Sequence, residues 1–408
     1  MLRPKNAPES FEQTQVVTPT QRITLLIVMV FGHALKHTFN AAFFVLLPSI
    51  KTDLGLNNTQ VGTLSTFRGI IGGLANIPAG FLGDRYAKRR AEILGITIVM
   101  VAVFAFALGH ATNFWMAVIL SSLFTVAITF WHPAAIASLS KEYGERKGFA
   151  IALHGTGGSI GETLGPILTG SLLAIISWRF VLQGSVVPGV VFGVMIWSIL
   201  RSVPGGYSSV VTLPDYLRSV LLLLRDRRLL LVLLFAAGFA GGQATVLTFL
   251  PIYLDEEFGF SSVSIGVYLS LAQVSGIVSQ PIMGFASDKF GRKLILAPSL
   301  MLLSLSFIGI SMVPPGLFFA LVVFAMGAFL FPLMAILLAS AIDLVSVQAQ
   351  ATTVSLVFGA AVVVSAYAPG IAGVLADSWG TAAAFQFASG LVLVTAILAS
   401  ITKWKPGT

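Results

Sequence analysis

Two stretches decide the reading of this chain: GFLGDRYAKRR at Gly80–Arg90 and GFASDKFGRK at Gly284–Lys293. They begin 204 residues apart in a chain of 408. Each opens with a Gly, places an Asp four residues on, ends in a basic cluster and joins two strongly apolar segments. The repeat predicts an internal duplication, with the two strings in equivalent loops.

Hydrophobic residues make up 56% of the chain, charged residues 10%, and the mean hydropathy is +0.92. A soluble domain carries about a quarter charged residues, so the composition is that of a membrane protein. The chain has no cysteine, which excludes disulfides, thiolate metal sites and thiol nucleophiles. Residues 1–22 are polar, with Glu9 and Glu12, and lack the apolar core of a cleavable signal peptide. The first helix is therefore expected to be retained.

A spanning helix needs about 20 mostly apolar residues. Hydropathy predicts spans at 23–48, 60–82, 92–110, 113–138, 147–175 and 180–200, then at 229–253, 262–286, 294–313, 316–342, 350–376 and 381–402. The expected fold is thus all-α and polytopic, with twelve transmembrane helices in two pseudo-symmetric six-helix bundles. The expected organisation is a tail (1–22), a first bundle (23–200), a linker (201–228), a second bundle (229–402) and a second tail (403–408). Within the linker, PDYLRSVLLLLRDRR reads as an amphipathic helix on the membrane surface.

Charge placement then sets an orientation. With the N-terminus inside, 20 of the 24 Lys and Arg fall in cytoplasmic segments, and only Lys51 and Arg179 fall outside. Lys36 and Arg68 lie within spans. This positive-inside bias puts both termini in the cytoplasm. The net charge of +8 is accounted for by topology, so no nucleic-acid partner is expected.

At this point the chain resembles the major facilitator superfamily over essentially its whole length. The carrying residues are Gly80, Asp84, Arg85, Lys88 and Arg89 in the first loop, and Gly284, Asp288, Lys289, Gly291, Arg292 and Lys293 in the second. The first copy departs from the family pattern at Ala87, where a Gly is usual. An Asp at a helix end caps backbone N–H groups and pairs with Arg, so Gly80, Asp84, Arg85, Arg89, Gly284, Asp288, Lys289 and Arg292 are read as a conformational latch across the cytoplasmic seam. The bland alternative gives these charges to topology alone. Helix 5 carries Gly161-x-x-x-Gly165-Pro166, similar to the Gly-Pro motif of drug/proton antiporters in the superfamily, with Thr169 where a second Gly is common. Close helix packing explains Gly157, Gly161 and Gly165 equally well. HPAA at 132–135 and the Gly-rich helix 5 resemble fosmidomycin-resistance-type exporters. The resemblance implies alternating access of two halves, a bacterial inner-membrane location and a chain that functions as a monomer without a cofactor.

Ionisable residues inside spans are costly and mark function. His33, Lys36, His37 and Asn40 share one face of helix 1. Arg68 lies in helix 2, His132 in helix 4, and His154 and Glu162 two turns apart in helix 5. The tally favours cations over one deep carboxylate, hence an anionic substrate. Lys36, Arg68, Asn40, His37, Gln243 and Gln273 are the expected substrate ligands, with Arg68 offering a bidentate fork. Glu162, His33, His132 and His154 are the expected proton carriers. Pairing of Glu162 with Lys36 or Arg68 is the structural alternative. The functional expectation is a proton-coupled exporter of a small anionic compound. The rivals are a proton symporter importing an organic anion, a metal or metal-chelate exporter, and a non-transporting receptor. No metal-ligating residue is assigned, and no nucleophile–base pair or nucleotide loop indicates an enzyme.

Overall fold

A computed structural model describes residues 17–203, 218, 221–345 and 350–402. Gly80, Asp84 and Arg85 are described as backbone only, so the side chains of Asp84 and Arg85 lie outside the described residues, as does the body of the amphipathic helix expected in the linker; Arg89 is exposed.

Twelve helical spans follow one another: α1 (Pro19–Asp53), α2 (Asn58–Arg85), α3 (Arg90–Leu108), α4 (Phe114–Tyr143), α5 (Lys147–Leu173), α6 (Trp178–Leu200), α7 (Arg227–Glu256), α8 (Ser262–Phe290), α9 (Arg292–Met312), α10 (Leu317–Ile342), α11 (Gln350–Trp379) and α12 (Ala382–Ile401). Among the described residues, nine are long and apolar enough to cross a membrane, and the other three are α2, α5 and α11. These three line the seam between the halves, where Gly, Ser and Thr replace the large apolar residues that lipid demands.

The helix starts follow local chemistry. Thr18 and Gln21 form a capping box on α1, and Asn57 and Gln60 another on α2, each satisfying donors that have no intrahelical partner. The span α4 is two helices, Phe114–Thr129 and Trp131–Tyr143. Pro133 has no N–H to offer the Thr129 carbonyl, so the ladder breaks there. The break seats Trp131, fully buried, against Gly32 of α1, where a Cβ would meet the indole at 2.1 Å.

The duplication is written in prolines as well as loops. Pro48 and Pro251, Pro78 and Pro281, and Pro166 and Pro369 are all mid-helix and all 203 residues apart. The seam obeys the same symmetry. A Cβ at Gly62 (α2) would lie 2.1 Å from the Pro369 carbonyl oxygen (α11), and one at Gly266 (α8) 2.4 Å from that of Pro166 (α5). Gly373 faces the Asn58 carbonyl and Gly170 that of Ser262, at 2.4 and 2.3 Å. At these four positions any side chain would push the two halves apart.

The seam is closed at the end away from the basic loops. There Lys51 pairs with Glu256 across the halves. Asp377, at the end of α11, accepts the backbone N–H groups of Asn58 and Thr59 at 2.8 Å each and the Thr59 hydroxyl at 2.6 Å. Deeper in, Thr248 donates to Ser65 and Ser270 to the Thr163 carbonyl. At the basic-loop end, each half closes on itself. Arg292 pairs with Asp288 and, at 2.9 Å, with Asp343 of α10. In the first half Arg90, at the start of α3, pairs with Glu142 of α4 at 3.3 Å, both side chains buried. Among the described residues the latch pair Asp288–Arg292 therefore lies within one half.

Candidate substrate and proton site

The centre of the first bundle is an imidazole cluster. Helix α1 presents His33, Lys36 and His37 on one face, α5 brings His154 and Glu162, and the second piece of α4 brings His132. The three helices approach closely because α5 is stripped to glycine where it meets α1. Gly157 and Gly161 face the Val30 and Ala34 carbonyls, where a Cβ would sit at 2.2 and 2.0 Å. Gly158 opens the space for the rings: a Cβ there would lie 2.7 Å from His33 Cε1 and 3.1 Å from His37 Cδ2.

The hydrogen bonds fix most of the protons. His33 Nδ1 lies 2.7 Å from the His154 carbonyl oxygen, so Nδ1 carries the proton and Nε2 a lone pair. The His37 and His132 Nε2 atoms each lie 3.0 Å from that His33 Nε2. His154 stacks on His33 with ring centroids 3.9 Å apart and turns its Nδ1 to the Met29 carbonyl. His37 Nδ1 stands 2.7 Å from Glu162 Oε1. The approach is off the ring N–H direction, leaving Nδ1 without an aligned hydrogen bond. Two lone pairs do not sit stably at that separation, so one proton is held between imidazole and carboxylate. Gln273 of α8 contacts the same carboxylate from the second half.

The cations are arranged differently. Lys36, 2% exposed, sets Nζ 3.4 Å from both nitrogens of His132. Arg68, 6% exposed, donates from Nε to the Thr125 hydroxyl at 3.0 Å and stacks its guanidinium 3.4 Å over the Phe43 ring. Among the described residues neither makes an ion pair with a carboxylate, and the Arg68 Nη groups make no hydrogen bond. A cation–π contact of this kind contributes about 1–2 kcal/mol, well short of what burying an unpaired charge costs.

The structure thus brings His33, Lys36, His37, His132, His154, Glu162 and Gln273 together, and leaves Arg68 in its own pocket. Asn40 and Gln243 are half-buried on α1 and α7 and hydrogen-bond to no described residue. The alternative pairing of Glu162 with Lys36 or Arg68 does not occur, because His37, one turn along α1 from His33, reaches the carboxylate first. Sequence reasoning missed Thr125 and Phe43, which hold Arg68, and Arg90–Glu142 and Asp377. Neither Thr125, which lies on the far side of the α4 break from His132, nor Asp377 gave a signal in the sequence.

The helical spans of the described residues, in two related bundles with charges buried at the centre, define a polytopic membrane protein. The sequence model of the Major Facilitator Superfamily matches residues 29–280 and 244–408, and the chain belongs to that family. Among curated relatives, the fosmidomycin resistance protein of Escherichia coli (strain K12) is 22% identical over 276 residues, covering 66% of this chain and 66% of that protein. The cis,cis-muconate transport protein of Acinetobacter baylyi is 24% identical over 264 residues, 62% of each. The matched stretch spans just under two thirds of the length of both relatives. Among solved structures, a bacterial homologue of the human lysosomal transporter Spinster, inward-facing and unoccupied, superposes with a TM-score of 0.76 at 17% identity, covering 94% of this chain and 96% of that one. At that identity the likeness is one of fold.

Proposed function

We propose that the chain moves a small anionic compound by alternating access, coupled to protons and in the direction of export. The observation that carries this reading is the pair of buried cations, Lys36 and Arg68, without a carboxylate partner, while the one deep carboxylate is engaged by His37. Buried unpaired cations invite an anion, and the Arg68 fork suits a carboxylate or phosphonate group. Lys36, beside His132, adds the second positive charge. The proton path runs Glu162–His37–His33–His132, each link at 2.7–3.0 Å. Gln273 ties Glu162 to the second half, so protonation of Glu162 would loosen a contact between halves. That is the element a coupled transporter needs.

The two halves meet at the end away from the basic loops. With the positive-inside orientation, this is a cytoplasm-facing state, with both termini in the cytoplasm. The two latch loops would then engage one another in the opposite state, when that seam closes. The anion-transporting and drug-resistance names among the relatives agree with an anionic cargo and with export, in a bacterial inner membrane. The testing experiment loads inside-out vesicles, imposes a pH gradient and follows uptake and efflux over a panel of carboxylates, phosphonates and neutral drugs. Accumulation of an anion driven by an acidic lumen supports export. Movement only in the reverse sense makes the chain an importing symporter, and no movement removes the transporter reading.

A further inference from the structure

We propose that His33, His37 and His132 form a binding site for a divalent transition-metal ion, which competes with the proton for the same three nitrogens. The inference goes beyond the anion reading and stands on geometry of its own.

Their ligand nitrogens all lie within 4.8 Å of one another, and His33 Nε2 is 3.0 Å from each of the other two Nε2 atoms. A tetrahedral ion with metal–nitrogen bonds of about 2.0–2.1 Å would set its ligands about 3.3 Å apart; the two His33 edges, at 3.0 Å, are within tenths of an ångström of that, and the His37–His132 edge, within 4.8 Å, closes by turning the rings. The outer partners orient the set. His33 Nδ1 is held by the His154 backbone carbonyl and His37 Nδ1 faces the Glu162 carboxylate. Metal-binding imidazoles use carbonyl and carboxylate partners in this way to fix the tautomer and aim the other nitrogen. With both Nδ1 atoms protonated, two Nε2 lone pairs converge at 3.0 Å, an arrangement that a shared cation stabilises. Imidazole donors select ions such as Zn²⁺ and Co²⁺ over Mg²⁺ and Ca²⁺. Glycine at 158 leaves room for the rings to turn. Lys36 is the opposing feature. Its Nζ, 3.4 Å from His132, repels a dication and keeps the site weaker than three imidazoles alone would make it.

The test uses the tag-free full-length chain in detergent, with Co²⁺ as spectroscopic probe and Zn²⁺ as competitor. The expected result is one saturable equivalent, with the visible bands of four-coordinate Co²⁺, displaced by Zn²⁺. His33→Asn and His132→Asn should each weaken binding by about tenfold or more. His110→Asn, in the α3–α4 loop and outside the cluster, should leave it unchanged. Lys36→Met should tighten it by about tenfold or more, since a repelling charge is gone. A gain of affinity is not an outcome of misfolding. Absence of saturable Co²⁺ binding up to about 1 mM in both the natural chain and Lys36→Met overturns the proposal. So does binding indifferent to His33→Asn and His132→Asn. A chain that binds Co²⁺ yet moves no anion keeps this inference and loses the proposed function; the reverse result separates them the other way.

Discussion

Asp377→Ala should open the end of the molecule that is closed here. Asp377 sits at the last turn of α11 in the second half and completes the N-terminus of α2 in the first. Asn57 already accepts from Gln60 N–H, and Asp377 takes the N–H groups of Asn58 and Thr59 together with the Thr59 hydroxyl. Three consecutive helix-start donors are thereby satisfied, two of them only while the halves touch. Loss of an N-cap acceptor costs about 0.5–2 kcal/mol, and because Asp377 is exposed the contribution is placed near 1 kcal/mol. That shifts the closed-to-open ratio about fivefold. The symmetry-related start of α8 faces the end of α5, where Leu173 and Ala174 offer no carboxylate, so the effect should be confined to the α2–α11 side. The chain has no cysteine, so Thr112→Cys and Pro315→Cys in the loops of that end take spin labels cleanly. Electron–electron distance distributions should gain a longer component in Asp377→Ala. Identical distributions with and without Asp377 would refute the cap as a gate.

Two further outcomes are expected. Gly158→Ala adds a Cβ into the His33 and His37 rings and should cost about 1–3 kcal/mol of local packing, so transport falls while Gly184→Ala, with open space around it, is unaffected; equal activity of the two would contradict the cluster geometry. Glu162→Gln removes the carboxylate that shares a proton with His37, so pH-driven movement should vanish while substrate exchange without a gradient survives; retained pH coupling would move the proton carrier to the histidines.

Nine of the spans were readable because lipid imposes about 20 apolar residues on each, and the repeat because its loops kept their Gly-Asp-basic spacing. The face of α1 was readable too, since 3, 4 and 7 are helix periods. What a linear pattern does not carry is which of several residues reaches a partner on another helix. The sequence offered Glu162 either Lys36 or Arg68 as a partner, and ring reach across the Gly158 gap gave it to His37. The metal-competent convergence is likewise invisible in sequence: His33 and His37 are four residues apart, but His132 arrives only because Pro133 breaks α4. The proline register at 203 residues was in plain view and adds six positions to the marks of duplication.

The central claim is that Arg68 receives the anionic group of the cargo. Proteoliposomes carrying a trapped pH dye, challenged with the same panel of carboxylates and phosphonates, test it most directly. At least one anion should drive proton movement through the natural chain, and none through Arg68→Gln. Undiminished anion-driven proton flux in Arg68→Gln would contradict it.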